Sequence, residues 1–130
     1  MTTIPSILVV DDDDMVRDAI ASALKRSGYM VLEAADGREA AIRFKREPVD
    51  LVITDILMPE RDGLETIQAL SSGAREVPII AMTGLSSRSS LYLEMARTFG
   101  AVRVLEKPFE LTELIRVTKE LLAERASSGG

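Results

Sequence analysis

The 130-residue sequence contains no histidine, no cysteine and no tryptophan. Without cysteine there is neither a disulfide nor a thiolate metal site. Without histidine there is no Ser-His-Asp or Cys-His catalytic arrangement, no imidazole-bound zinc and no phosphohistidine of the chain's own. Any metal must therefore sit among oxygen ligands, as hard cations do. Aromatic residues make up 4% of the chain, too few for a stacking platform on single-stranded nucleic acid. Positive charge is also scarce: 16 Lys and Arg against 21 Asp and Glu leave a net charge of -5, which disfavours phosphate backbones and anionic membrane surfaces. No apolar run approaches the roughly 20 residues of a membrane span, and Met1-Thr2-Thr3-Ile4-Pro5 has no basic start of a targeting segment. The expectation is a cytoplasmic protein that engages neither nucleic acid nor membrane.

With 46% hydrophobic and 28% charged residues, the chain has the composition and size of one globular domain. Four apolar runs are continuous rather than alternating: Ile7 to Val10, Leu51 to Ile53, Ile79 to Met82 and Val102 to Leu105. Such runs fit parallel strands covered on both faces. A weaker run, Met30-Val31-Leu32, alternates into Glu33 and suits an outer position. Between them lie helical patterns. Val16, Ala19, Ile20, Ala23 and Leu24 share a face, with Arg17, Asp18, Lys25 and Arg26 opposite and Gly28 as the stop. Asp14 reads as the N-cap of that helix and Asp13 as a surface charge. Asp36-Gly37-Arg38-Glu39 has capping-box spacing ahead of Ala40, Ala41 and Phe44. Leu64, Ile67 and Leu70 mark a third helix. Leu91, Met95 and Phe99, closed by Gly100, mark a fourth, and Leu111, Leu114, Ile115, Thr118 and Leu122 a fifth. Strand followed by helix, five times over, predicts a doubly wound α/β sandwich with a parallel sheet. One domain is expected over residues 1–124, with 125–130 as a flexible tail.

In open sheets of this class, ligands bind beyond the carboxyl ends of the strands. There the sequence places Asp11-Asp12-Asp13-Asp14 after the first run, Thr54-Asp55-Ile56-Leu57-Met58-Pro59 after the third in chain order, Thr83-Gly84 after the fourth and Glu106-Lys107-Pro108-Phe109 after the fifth. If Asp11, Asp12 and Asp55 meet, each pair about 5 Å apart repels by roughly 3 kcal/mol at an effective dielectric of 20. A cation must offset that. Oxygen ligands in a small open site favour Mg²⁺, or Mn²⁺, over other metals. With Lys107 as a second positive charge and Thr83 as a neutral donor, the set suits binding or accepting a phosphoryl group.

These residues, in this order and spacing over about residues 4 to 124, closely resemble the motifs of response-regulator receiver domains, the two-component signalling family. The resemblance implies a flavodoxin-like (βα)5 fold with strand order 2-1-3-4-5. It implies Asp55 as the phosphoacceptor, served by a sensor histidine kinase or a histidine phosphotransfer protein. Mg²⁺ would be held by Asp12, Asp55 and the backbone carbonyl of Leu57, with Asp11 acting through water. Lys107 would pair with Asp55 and then with the phosphoryl oxygens, Thr83 would bond the phosphoryl group, and Lys107-Pro108 would be cis. The chain would not be a conventional enzyme; it would carry out only self-catalysed phosphotransfer and autodephosphorylation. The output would be an altered fourth-helix, fifth-strand and fifth-helix face offered to a downstream protein, in a single-domain regulator or a phosphorelay intermediate. A receiver-like adaptor that ignores phosphate, and a receiver fragment of a longer regulator or hybrid kinase, are the alternatives. A phosphohydrolase with an aspartyl-phosphate intermediate is disfavoured because Leu57 occupies the place of its second Asp.

Four positions depart from the family pattern. Val104 stands where an aromatic residue usually changes rotamer, and valine's short, stiff side chain cannot make that swing. Glu106 replaces a usual apolar residue and reads as surface charge. Leu57 and Leu85 are apolar where the hydrolytic water passes, so phospho-Asp55 should lose its phosphate slowly. Mass spectrometry over time should find the phosphoprotein persisting for many minutes and Leu57→Asn shortening that lifetime; loss within seconds, unaltered in the variant, would refute the expectation.

Overall fold

The computed structural model describes residues 4–56, 69–70, 77–84, 94–98 and 100–128. Strands β1 (Ser6–Val10), β2 (Met30–Ala34), β3 (Leu51–Asp55), β4 (Ile79–Thr83) and β5 (Arg103–Glu106) form one sheet in the order β2-β1-β3-β4-β5, every pair parallel. The reversal of direction in that order falls between β1 and β3 and leaves a crevice at their carboxyl ends. Helices α1 (Asp14–Arg26) and α2 (Gly37–Arg46) and the C-terminal helix (Leu111–Ser128) account for most of the helical residues described.

The continuous apolar runs bury both faces, as doubly covered strands must. Ile7, Val9, Leu51, Ile53, Ile80 and Met82 point to one side, where they meet Ile20 and Leu24 of α1 and Leu114, Val117 and Leu121 of the C-terminal helix. Leu8, Val10, Val52, Ile79 and Ala81 point to the other, against Ala40 and Phe44 of α2 and against Leu70 and Ala96. At roughly 25 cal/mol per Å² of apolar area, two such layers supply the main driving force of the fold. β2 is the outer strand, as its broken pattern suggests. Val102 is not part of a strand; it is 47% exposed, and β5 begins one residue later.

The helix ends follow from local chemistry. Asp13, not Asp14, is the N-cap of α1: its carboxylate accepts from the amides of Met15 and Val16 at 3.0 and 3.3 Å. Asp14 lies one step inside, in the first turn, where a negative charge still suits the helix dipole. At the other end Gly28 adopts φ +98°, and its amide donates to Lys25 O while that of Tyr29 donates to Leu24 O, the paired bonds of a Schellman motif. Asp36 caps α2 by accepting from Glu39 N at 2.8 Å, and Glu39 returns a bond to the amide of Ala35 at 3.2 Å. Residues 94–98 are helical and close on Gly100, at φ +129°, as expected of the fourth helix. Leu64, Ile67, Leu91 and Phe99 lie outside the described residues.

The C-terminal helix continues to Ser128, past the boundary at 124 where the tail was expected. Arg125 explains part of that length: its Nη1 donates to the backbone carbonyl of Asp50 at 2.6 Å, and Asp50 Oδ2 accepts from Ser6 N at 2.8 Å. On the buried side of this helix the hydroxyl of Thr118 makes no hydrogen bond. A buried hydroxyl without a partner costs stability that an isosteric methyl does not. Thr118→Val should therefore raise the unfolding free energy by about 1 kcal/mol in urea denaturation; an unchanged or lower midpoint would show that the hydroxyl is satisfied.

Candidate functional site

β1 ends at Val10, and the amide of Asp11 carries the ladder one residue further by donating to Ala34 O at 3.2 Å. Asp11 and Asp55 follow Ile7, Val9, Leu51 and Ile53 in side-chain parity, so both carboxylates stand on the α1 side of the sheet rim. Val10 pairs with Thr54, which puts the two aspartates level on neighbouring strands. Lys107 follows Leu105 with the same parity from the far side of β4, and only a long, flexible stem spans that gap. Its Nζ donates to Asp11 Oδ2 at 3.0 Å and to Asp55 Oδ2 at 3.3 Å. The expected pairing with Asp55 is therefore shared with Asp11, at the shorter distance.

Asp11 is fully buried and its other oxygen accepts from Asp13 N at 2.9 Å. Asp55 is 7% exposed. Asp12 is exposed, and among the described residues its carboxylate makes no hydrogen bond or ion pair. One carboxylate oxygen from each of Asp11, Asp12 and Asp55 lies within 4.8 Å of the others. Thr83, at the end of β4, is fully buried with its hydroxyl unbonded, while its backbone carbonyl accepts from Lys107 N at 2.6 Å. The Lys107–Pro108 peptide is cis. Leu57 and Leu85 lie outside the described residues.

Burial alone would lower the pKa of Lys107, but its hydrogen bond to Asp11, the attraction of Asp55 and Asp11 and the bond to Asp55 outweigh this and hold the ammonium above the ordinary lysine value. The ammonium's contribution to stability is thus present at neutral pH and is lost only as the pH rises through that raised value. Three carboxylates against this one cation leave a local charge of -2. Carboxylate oxygens at this spacing, in a chain without histidine or cysteine, fit a small hard divalent cation rather than a softer metal.

Arg17 escaped notice in the sequence, where it reads as one more charge on the solvated face of α1. Its guanidinium donates to the backbone carbonyl of Asp11 at 2.7 Å, to Asp14 Oδ1 at 2.6 Å and to Glu33 Oε1 at 3.3 Å. The spacing of Asp14 and Arg17 was a legible signal; the link to Glu33 depends on the β1–β2 register, which sets Val9 opposite Glu33. Val104 is half-buried and packs on the α2 side of the core. Glu106 is exposed at the end of β5, as a surface charge should be.

Comparison with known proteins agrees with this fold. The sequence profile of the response regulator receiver domain matches residues 7–119. Response regulator MprA of Mycolicibacterium vanbaalenii is 38% identical over 124 residues, which are 95% of this chain and 53% of that protein. Transcriptional regulatory protein PrrA of Mycobacterium tuberculosis is 39% identical over 127 residues, 97% of this chain and 53% of that protein. Among solved structures, chemotaxis protein CheY4 of Vibrio cholerae superposes with a TM-score of 0.82 at 30% identity, covering 92% of this chain and 99% of that one. The CheY-like receiver domain protein of Methanospirillum hungatei reaches a TM-score of 0.89 at 27% identity, covering 97% and 99%. The chain belongs to the response regulator receiver domain family, whose members are signalling domains of two-component systems rather than conventional enzymes. It spans about half the length of the curated relatives it matches. No helix among the described residues is long and apolar enough to cross a membrane.

The two acids at the head of the loop should respond in opposite ways to removal. In chelator, Asp12→Asn relieves repulsion at an exposed position and should stabilise by up to about 1 kcal/mol. Asp11→Ala strips partners from Lys107 and from the Asp13 amide and should cost about 2 kcal/mol, less than a fully buried pair because the lysine is partly solvated. Urea denaturation with EDTA measures both, and equal losses would contradict the charge crowding described here.

Proposed function

We propose that the chain is a phosphorylation-controlled signalling domain in which Asp55 accepts a phosphoryl group from a phosphohistidine on a sensor histidine kinase or histidine phosphotransfer protein. The observation that carries this reading is the near-complete burial of Asp55 in a cluster of net charge -2, tied to Lys107, with an unbonded Thr83 hydroxyl at the neighbouring strand end. An Asp55 oxygen attacks phosphorus, the P–N bond to the donor breaks, and the imidazole leaves with that electron pair. Asp12, Asp55 and the backbone carbonyl of Leu57 would hold Mg²⁺, or Mn²⁺ in its place, with Asp11 acting through water. When bound, the cation supplies charge neutralisation to the phosphoryl oxygens. Lys107 stays protonated and follows the negative charge from the carboxylate to the phosphoryl group. Thr83 donates its hydroxyl hydrogen to a phosphoryl oxygen, which gives that hydroxyl its bond.

The consequence is a switch. New charge and acceptor oxygens at Asp55 draw in the loops that hold Thr83 and Lys107. The fourth helix, β5 and the C-terminal helix then present a changed face to a downstream protein. The domain acts in the cytoplasm and comprises residues 1–124 together with the turn of helix that holds Arg125. It serves as a single-domain regulator or phosphorelay intermediate, or as the receiver part of a longer regulator, as the half-length match to the relatives allows.

Intact mass after incubation with Mg²⁺ and phosphoramidate tests the reading. One phosphoryl group should be added, and it should be absent with Asp55→Asn and in chelator. No addition, together with failure to bind beryllofluoride, would leave a phosphate-independent adaptor as the better account.

A further inference from the structure

Asp12 supplies a carboxylate to the acidic cluster, yet no bond from another described residue to its side chain holds it there. Its position is therefore set by the backbone that leads into it. Asp11, the preceding residue, is immobilised at every other polar group: its amide on Ala34 O, one side-chain oxygen on Asp13 N and the other on Lys107. The remaining group is its carbonyl, which shares a rigid peptide plane with the nitrogen of Asp12. Rotation of that plane would swing the Asp12 carboxylate toward or away from Asp11 and Asp55.

Arg17 holds this carbonyl. We infer that Arg17, strapped to the sheet through Glu33, is a positioning residue that fixes the Asp11–Asp12 peptide and so keeps the Asp12 carboxylate where a divalent cation can use it. The inference rests on the receiver reading given above and deepens it. The bond to the carbonyl, at 2.7 Å, is matched by two others that take up the arginine's charge, Asp14 from its own helix and Glu33 from β2. With both carboxylates paired to it, the guanidinium adds little net repulsion toward a cation at the rim. Its effect is geometric. Glu33 matters because it belongs to a strand: in register with Val9, it ties the arginine to the sheet and not merely to the helix that the loop precedes. The arginine side chain is only 17% exposed, so it has little room to wander. A planar fork with five donors can serve three acceptors in fixed directions, whereas a lysine at the same place keeps the charge and loses the fork.

The test measures Mg²⁺ affinity calorimetrically for the full chain, alongside melting in chelator. Wild type, Arg17→Lys, Glu33→Gln, the double variant, Asp12→Asn and Arg125→Met are compared. Arg17→Lys should weaken Mg²⁺ binding about tenfold, the lower end of what loss of a group supporting a metal ligand costs. Glu33→Gln should weaken it in the same direction, and the double variant should be no worse than Arg17→Lys because the two act as one unit. Arg125→Met, at the opposite end of the sheet, should lower the melting temperature without changing Mg²⁺ affinity. At saturating Mg²⁺, phosphorylation of Arg17→Lys by phosphoramidate should recover toward the wild-type rate. Unchanged affinity in Arg17→Lys, with Asp12→Asn weakened, overturns the role of Arg17 and leaves the receiver reading standing. A wild type whose Mg²⁺ binding is absent or insensitive to Asp12→Asn overturns both.

Discussion

The site depends on a charge imbalance that folding creates. Two aspartates are buried and a third stands beside them, all with oxygens within 4.8 Å, and Lys107 is the one cation bonded to their carboxylates among the described residues. An arrangement of this kind is unfavourable by several kcal/mol before the lysine is counted, since each pair at about 5 Å repels by roughly 3 kcal/mol at an intermediate dielectric. It persists because the rest of the molecule over-determines it. The strands that deliver Asp11 and Asp55 are covered by apolar layers on both faces, so neither carboxylate can retreat without unpairing β1 from β3. The strain is thus supported by the core and is available to anything that brings positive charge or disperses negative charge at the rim.

Side-chain parity explains why the cluster forms at all. A one-residue slip of β1 against β3 would turn Asp11 away from Lys107 and into the apolar layer on the α2 side, and the cost of burying that charge unpaired helps fix the register. The same alternation sends Lys107 to the α1 side and leaves Val104 on the other. Lys107, just past the end of β5, and Val104, three residues earlier within it, thus serve opposite faces of the sheet.

Much of this was legible in the sequence, and what was not shares a cause. Continuous apolar runs announced doubly covered strands, and Gly28, Asp36 and Gly100 announced helix ends, because each is a local signal with a local physical reason. The acids, Thr83 and Lys107 could be assigned to one rim because strand ends in a doubly wound sheet share that rim. Misreadings arose where two neighbours could do the same work. Asp13 and Asp14 are equally good caps by composition, and only the direction of the chain leaving β1 selects Asp13. Val102 is as apolar as a strand residue and its amide donates to Ile79 O at 2.9 Å, but β5 proper begins only at Arg103 and the Val102 side chain is left exposed. Arg17 and Glu33, or Arg125 and Asp50, are surface charges until the register of strands far apart in sequence brings them together.

The absence of an aromatic residue at Val104 bears on how a change at the site could reach the surface. In a domain that relies on a swinging ring, the signal passes through a cavity that the ring fills or vacates, and a half-buried valine offers no such movement. The backbone offers another route. Thr83 lies at the last residue of β4, in register with Glu106 on β5, and its carbonyl accepts directly from the amide of Lys107 at 2.6 Å. A displacement of Thr83 toward Asp55 therefore pulls on the peptide that carries the lysine, and a shift of Lys107 toward the same point pulls in the same sense. Both motions load the β4–β5 ladder at its open end, beyond which lies only the edge of the sheet. Because β5 has a neighbour on one side alone, it can yield where β3 and β4, held on both sides, cannot. The size of the side chain at 104 then matters less than the stiffness of the ladder beside it.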